Sequence, residues 1–418
     1  MNGRSVADTL ATTVKRLVGD DFPVRIRAWD GSEAGPAGAP VVVLRNRRAL
    51  RRLVWRPDEL GLARAYVSGD LDVDGDLDDG FRRVWEFARQ RGSGVHVSAR
   101  DRVGALGDAL RFGVVGPSPR PPASEAKIRG RLHSRARDRA VISHHYDLSN
   151  DFYALVLDEH MAYSCAYYPP GSGDLDLAAS QRAKLDLVCT KLALAPGMRL
   201  LDVGCGWGSL SIHAARHYGA RVTGITLSRE QLEFGRKRAA ELGVADLVEL
   251  RLQDYRDLAD GPYDAAASLE MGEHVGAEQY PVFVATVHRM LAPGGSFLVQ
   301  QMSRAAGTAP GGGPFIEAYI APDMHMRPLG ETIGLLEAGG FEVRGVEAMR
   351  EHYVRTGAEW RANLEARWTE IVALVGEEVA RVWRLYLVGG SLAFEERRMG
   401  VDQILVVKPD SVPERNNA

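Results

Sequence analysis

Along Arg199-Leu-Leu-Asp-Val-Gly-Cys-Gly-Trp-Gly-Ser-Leu-Ser-Ile-His-Ala-Ala-Arg216, a short apolar run breaks into alternating glycines and then resumes with helical spacing. Leu200, Leu201 and Val203 read as a buried parallel strand, and Leu210, Ile212, Ala214 and Ala215 as the inner face of a following helix. Gly204, Gly206 and Gly208 stand at the joint, where the absence of a Cβ lets the backbone pass close to a ligand. The spacing Asp202-x-Gly-x-Gly-x-Gly differs from the dinucleotide fingerprint Gly-x-Gly-x-x-Gly.

The strand-to-helix rhythm continues beyond this joint. Strands fit at 199–203, 221–226, 248–253, 263–269 and 295–301, and helices at 209–218, 229–241, 280–291 and 329–338. A helical stretch at 356–387 precedes a last strand at 403–408. This alternation predicts an α/β fold with a parallel, Rossmann-like doubly wound sheet whose ligands sit at the carboxyl ends of the strands. At 418 residues the chain exceeds one ordinary core. The Pro/Gly-rich run at 113–123 is the best boundary. It predicts a smaller mixed α+β N-terminal domain at 1–112, a linker at 113–140 and a catalytic domain at 141–418.

A net charge of −3 argues against an enzyme of nucleic acids, which needs a broad basic face. The N-terminus carries Arg4, Asp8, Lys15 and Arg16 and lacks the apolar centre of a secretory signal. No apolar run approaches the ~18 residues that span a bilayer, so a cytoplasmic place is expected. Cys165, Cys189 and Cys205 give neither a disulfide framework nor paired metal spacing. The acidic string Ala65–Leu77 carries Phe81 where a calcium loop would need glutamate, so it reads as a loop and no metal is expected. In the linker, Lys127, Arg129, Arg131, Arg135, Arg137 and Arg139 face only Glu125 and Asp138. They form either a solvated face or a patch adhering to an anionic membrane, each basic group contributing roughly 1 kcal/mol.

Other stretches carry the chemistry. Gly224-Ile-Thr-Leu-Ser-Arg-Glu-Gln231 puts Thr226 and Gln231 where an acidic residue often holds ribose hydroxyls, with Ser228 as a helix cap. Gln253-Asp-Tyr-Arg-Asp257 offers Asp254 to an adenine amino group and Tyr255 as a flat face. His144-His-Tyr-Asp-Leu-Ser-Asn-Asp-Phe-Tyr153 and Met161-Ala-Tyr-Ser-Cys-Ala-Tyr-Tyr168 precede the glycine bend, and Glu270-Met-Gly-Glu-His-Val-Gly276 follows the fourth strand. In this order the pieces resemble the cyclopropane-fatty-acyl-phospholipid synthases, mycolic acid methyltransferases included, over residues 141–408. The glycine bend resembles motif I of S-adenosylmethionine-dependent methyltransferases.

That resemblance implies a class I methyltransferase domain, S-adenosylmethionine as cofactor and a hydrophobic tunnel for the unsaturated acyl chain of a phospholipid. It assigns the cofactor to Tyr163, Ser164, Gly204, Gly206, Thr226, Leu227, Gln231 and Tyr255, with Asp202, Gly208 and Asp254 completing the motifs. It also assigns a bicarbonate pocket to Cys165, Glu273 and Tyr353. An alkene is a weak nucleophile, and methylating it leaves a carbocation. The site must therefore offer carboxylate charge, aromatic faces and a base. Cys165 has a plainer alternative as a small buried hydrophobe, and His274 is expected to be structural.

The chain departs from that family at telling positions. Glu270 and Gly272 replace the glycine and phenylalanine of Gly-x-Phe-Glu-His, Gln300 replaces a pocket histidine and Met302 an isoleucine. The Tyr-Ile-Phe-Pro-Gly-Gly turn becomes Tyr319-Ile-Ala-Pro-Asp-Met-His-Met-Arg327. A neutral glutamine weakens the case for bound bicarbonate, and Glu270 can act as the base or repel that anion. The expected product is a methylene or methyl branch of the tuberculostearic type, made with a separate flavin-dependent reductase at the inner face of the cell membrane. Cyclopropanation with bicarbonate as base is the alternative. A soluble small-molecule acceptor and a protein that binds cofactor without turnover are weaker readings, and self-association stays open.

Overall fold

The computed structural model describes residues 4–91, 104, 107–126, 132–135, 137, 138, 141, 149–171, 173 and 175–410. Residues 144–148 of the His144–Tyr153 motif, and Lys127, Arg129, Arg131 and Arg139 of the linker, lie outside them.

The chain forms two compact units: Met1–Glu125 with Val375–Leu392, and Ala126–Leu374 with Ala393–Ala418. Nothing in the order of the sequence foreshadows the return of 375–392 to the first unit. Arg381 fixes it there, donating to Tyr66 O (2.7 Å) and Leu71 O (3.0 Å) and pairing with Asp72 (3.1 Å).

The first unit holds the sheet β2-β1-β3-β4, made of β1 (Arg25–Arg27), β2 (Glu33–Ala34), β3 (Val41–Leu44) and β4 (Leu71–Asp74). Helices α1 (Val6–Val18), α2 (Arg47–Trp55), α3 (Glu59–Val67) and α4 (Leu77–Arg91) accompany it. The acidic string expected as a loop supplies β4, because its charges are spent on cations. Asp70 pairs with Arg48 and Arg52, Asp72 with Arg45 and Arg381, and Asp74 with Arg27.

The second unit is built on a seven-stranded sheet of order β10-β11-β9-β8-β5-β6-β7. Its strands are β5 (Arg199–Val203), β6 (Arg221–Thr226), β7 (Val248–Leu252), β8 (Tyr263–Leu269), β9 (Leu291–Ser303), β10 (Glu342–Ala348) and β11 (Gly400–Val407). Strands β5 to β9 pair in parallel, as the alternation predicts. The wholly parallel sheet needs correction at one edge, where β11 runs antiparallel to both β9 and β10. Along β5, Leu200 enters one core cluster and Leu201 the opposite one, so the strand is buried on both faces and reads as one apolar run.

The helices of this unit are α5 (Asn150–Val156), α6 (Leu177–Lys191), α7 (Ser209–Tyr218), α8 (Arg229–Glu241), α9 (Tyr280–Met290), α10 (Pro314–Tyr319), α11 (Leu329–Ala338), α12 (Arg350–Ala366) and the start of α13 (Trp368–Glu395). The single C-terminal stretch expected at 356–387 is thus two helices, and α13 leaves helical geometry at Gly376 (φ 82°). No described helix is long and apolar enough to cross a membrane.

Candidate active site

Strand order reverses around β5, whose neighbours are β6 and β8, and a crevice opens at such a point beyond the carboxyl ends of the strands. Here the cleft encloses about 1320 Å³ of space between atoms, part of it open to solvent. Gly204, Gly206 and Gly208 take φ of +82°, +53° and +83°, a region costly for any side chain. A Cβ on Gly206 would stand in the cleft, with Gln231 Nε2 its nearest neighbour at 3.9 Å; one on Gly204 would strike Met271 at 2.8 Å. The hollow beside Gly206 is the cradle that a bulky cofactor requires.

All the expected cofactor contacts except Gly208 line this cleft: Tyr163, Ser164, Asp202, Gly204, Gly206, Thr226, Leu227, Gln231, Asp254 and Tyr255. Gly208 instead heads α7 and faces Leu250 and Ile212, so its role is to turn and pack. Thr226 Oγ1 donates to Gln231 Oε1 (2.8 Å), which holds the Gln231 amide toward Gly206, where hydroxyls of a nucleoside would need a donor. Burial opposes ionisation of Asp254, but Arg256 donates to both its oxygens (2.8 and 2.6 Å) and holds its pKa below the usual range. Burial pushes Asp202 up to about 6 despite the Ser211 hydroxyl at 2.7 Å. Gly206→Val should weaken S-adenosylmethionine binding by roughly a hundredfold, because the new methyls fill the cradle at a positive φ. Isothermal titration checks this, and an unchanged affinity would place the cofactor elsewhere.

Two carboxyls stand together at the back of the cleft, Glu270 half-buried and Glu273 buried. Glu270 follows β8 at φ 55° and is the one of the two carboxyls that reaches the cleft wall. Its Oε1 accepts from the Cys165 backbone N–H (2.7 Å) and Gln300 Nε2 (2.8 Å), and its Oε2 from the Tyr353 hydroxyl (2.6 Å). Burial pushes its pKa up, and these three donors pull it back toward the anion. Glu273 is placed differently. Its Oε1 accepts from Met302 N–H (2.6 Å), while its buried Oε2 meets no partner among the described residues. Burial and the neighbouring charge of Glu270 push Glu273 up to about 8, so it is neutral at pH 7. Burial raises both carboxyls, but three donors favour the anion at Glu270 and one at Glu273, an asymmetry that suits Glu270 better to the work of a base.

Cys165 enters this cluster by its main chain. Its thiol faces Ala166 O (3.3 Å) and Met349 O (3.7 Å), and burial holds its pKa well above the ordinary value, so it is no nucleophile. His274, expected to be structural, lines the cleft with Nδ1 unpartnered among the described residues, and burial lowers its pKa to about 4.

The sequence reading missed Lys184, Gln181 and Gln403. Buried Lys184 donates to Ser164 Oγ (2.6 Å), and Gln181 on the same helix donates to Ala162 O and Ser164 O, clamping the Tyr163–Ser164 segment. Their signal was present: Gln181 and Lys184 lie three apart on α6 beside the buried Leu177, Leu185 and Val188. Gln403 donates to Gln300 Oε1 (2.9 Å) and fixes which end of that amide meets Glu270.

The family model described as mycolic acid cyclopropane synthetase matches residues 133–404. The chain belongs to the mycolic acid cyclopropane synthetase family. It is 38% identical over 398 residues to a probable fatty acid methyltransferase of Mycobacterium tuberculosis, Rv3720, covering 93% of this chain and 92% of that one. It is 35% identical over 300 residues to the cyclopropane-fatty-acyl-phospholipid synthase of Escherichia coli K12, covering 71% and 76%. The crystal structure of mycolic acid cyclopropane synthase CmaA1 with SAH and CTAB superposes with a TM-score of 0.61 at 33% identity, over 65% of this chain and 98% of that chain. As a family member this chain is a methyltransferase enzyme with the class I fold.

Proposed function

We propose that this enzyme methylates the double bond of an unsaturated phospholipid acyl chain and releases a methylene-branched product, which a flavin-dependent reductase then saturates. S-adenosylmethionine is the cofactor, and Tyr163, Thr226, Gln231 and Tyr255 around the Gly206 hollow would hold it. When bound, it supplies the electrophilic methyl that the π pair of the alkene takes up, leaving a cation on the neighbouring chain carbon.

The rest of the chemistry falls to the protein. A 1,2-hydride shift moves the cation onto the methyl-bearing carbon, Glu270 accepts a proton from the new methyl, and that C–H pair becomes the exocyclic methylene double bond. Without the hydride shift, proton loss from the new methyl closes the ring onto the neighbouring cation and gives cyclopropane instead. Tyr163, which lines the cleft and packs on Tyr153 and Trp360 at centroid distances of 5.8 and 5.2 Å, presents an aromatic face that tolerates the cation without trapping it. Apolar Leu269, Met271 and Val275 line the same cleft and suit an acyl chain.

One observation carries the branching reading. The donors of Cys165, Gln300 and Tyr353, at the positions where the resemblance puts a bicarbonate pocket, all converge on the Glu270 carboxylate. A tethered carboxylate fills the anion's place and supplies its basicity. Mass spectrometry of acyl chains from a host expressing the enzyme without a reductase tests this. A methylene-branched chain is expected, and a cyclopropyl chain as major product would return the enzyme to the cyclopropane synthases.

A further inference from the structure

The linker cations that the structure describes are engaged. Arg137 forks onto Asp323 (2.5 and 2.9 Å), and Arg135 meets Asp257 (2.9 Å). A different face, in the first unit, carries cations in excess of its acids: Arg45, Arg48, Arg52 and Arg56 pair with Asp72, Asp70 and Asp58, and the cations beside them meet no described carboxylate. Arg45, Arg47, Arg48, Arg51, Arg52 and Arg56 crowd one short stretch with no carboxylate between them. Arg47, Arg51 and Trp55 recur at every fourth position of α2 and so share one side of it. That side meets the segment after residue 112: Arg51 donates to Val114 O (2.9 Å), and Trp55 Nε1 to Gly116 O (2.8 Å). The Arg47 guanidinium lies over the Trp29 ring at 5.9 Å. Among the described residues, Arg47, Arg51 and Arg111 meet no carboxylate.

Beside these cations stand large apolar side chains left in water. Trp55 is 57% exposed, Leu110 60%, and Val54 and Val115 49% each. Large exposed apolar side chains beside unpaired cations are costly on a free surface and mark a docking site. A helix with arginines and an exposed tryptophan has the composition of one that lies in a headgroup layer, where an indole ring meets the acyl boundary and its N–H stays polar.

We propose that the α2 face, together with Leu110, Arg111 and Val115, seats this protein on an anionic phospholipid surface. The exposed apolar groups enter the headgroup layer, and Arg47, Arg51 and Arg111 meet phosphates. Charge complementarity selects the occupant. Arginine forks match phosphodiesters, and the apolar cluster between them favours a lipid layer over a nucleic acid. This placement does not depend on which product the enzyme makes.

The test is co-sedimentation of the full chain with vesicles of phosphatidylcholine, alone or with added phosphatidylglycerol. Binding should require phosphatidylglycerol and weaken with salt. Arg111→Glu and Val115→Asp should each weaken it by about tenfold. Both positions are exposed and outside the active site, so melting temperature and turnover of detergent-dispersed substrate should match the parent. Vesicle binding unaltered in both variants overturns the proposal. So does a parent that ignores phosphatidylglycerol, or one that binds a single-stranded oligonucleotide and not vesicles.

Discussion

Glu270→Gln should lower turnover by about 10²- to 10⁴-fold, the usual loss when a general base is removed, while cofactor affinity stays unchanged. Glutamine keeps the shape, its carbonyl oxygen can still accept from Cys165 N–H, and its amide can donate to the Tyr353 hydroxyl oxygen, so packing is preserved and only basicity is lost. Single-turnover assays of acyl-chain methylation measure the first effect and isothermal titration the second. Glu270→Gly tests the same assignment from the other side. It removes a side chain held at φ 55°, relieving about 1 kcal/mol of backbone strain, and frees the three donors for a small anion. This variant should show cyclopropyl product that rises with added bicarbonate, whereas the parent should ignore bicarbonate. Methylene product formed at the parent's rate by Glu270→Gln would remove Glu270 from the reaction.

The parts of the site that could be read from the sequence are those in which one residue type does one local job. The glycine bend, the Ser228 cap and the apolar runs of β5, β6 and β8 depend on near neighbours, and the structure puts each at its expected bounds. Strand β10 escaped because Glu342-Val-Arg-Gly-Val-Glu-Ala348 lies at an edge, mostly exposed, and so carries no apolar run. Strand β4 escaped within the acidic string, since the arginine partners of its aspartates come from separate parts of the chain. Lys184 looked like an ordinary helical cation, and only the fold brings it against Ser164. Gln300 could be picked out by its substitution for a histidine. Its orientation depends on Gln403, a partner about a hundred residues away that pairs with it across β9 and β11.

Glu273→Gln should separate the two carboxyls by giving nearly the opposite result. In the parent, burial and the charge of Glu270 raise the folded-state pKa of Glu273 to about 8, above the ordinary 4.5. The folded chain therefore keeps a proton that the unfolded chain releases. Its stability is fully present below about pH 4.5 and is lost as pH rises toward 8, by an amount on the order of 4 kcal/mol. Glutamine is neutral at every pH and can still accept from Met302 N–H through its carbonyl oxygen. The variant should match the parent near pH 5 and melt at a clearly higher temperature near pH 8.5, a difference that calorimetry across pH measures. Because Glu273 already works as a neutral group at pH 7, its turnover there should fall by less than about tenfold, against the larger loss at Glu270. Equal losses at both positions, together with a melting difference that does not grow with pH, would mean that Glu273 carries its charge in the folded enzyme and shares the work of the base.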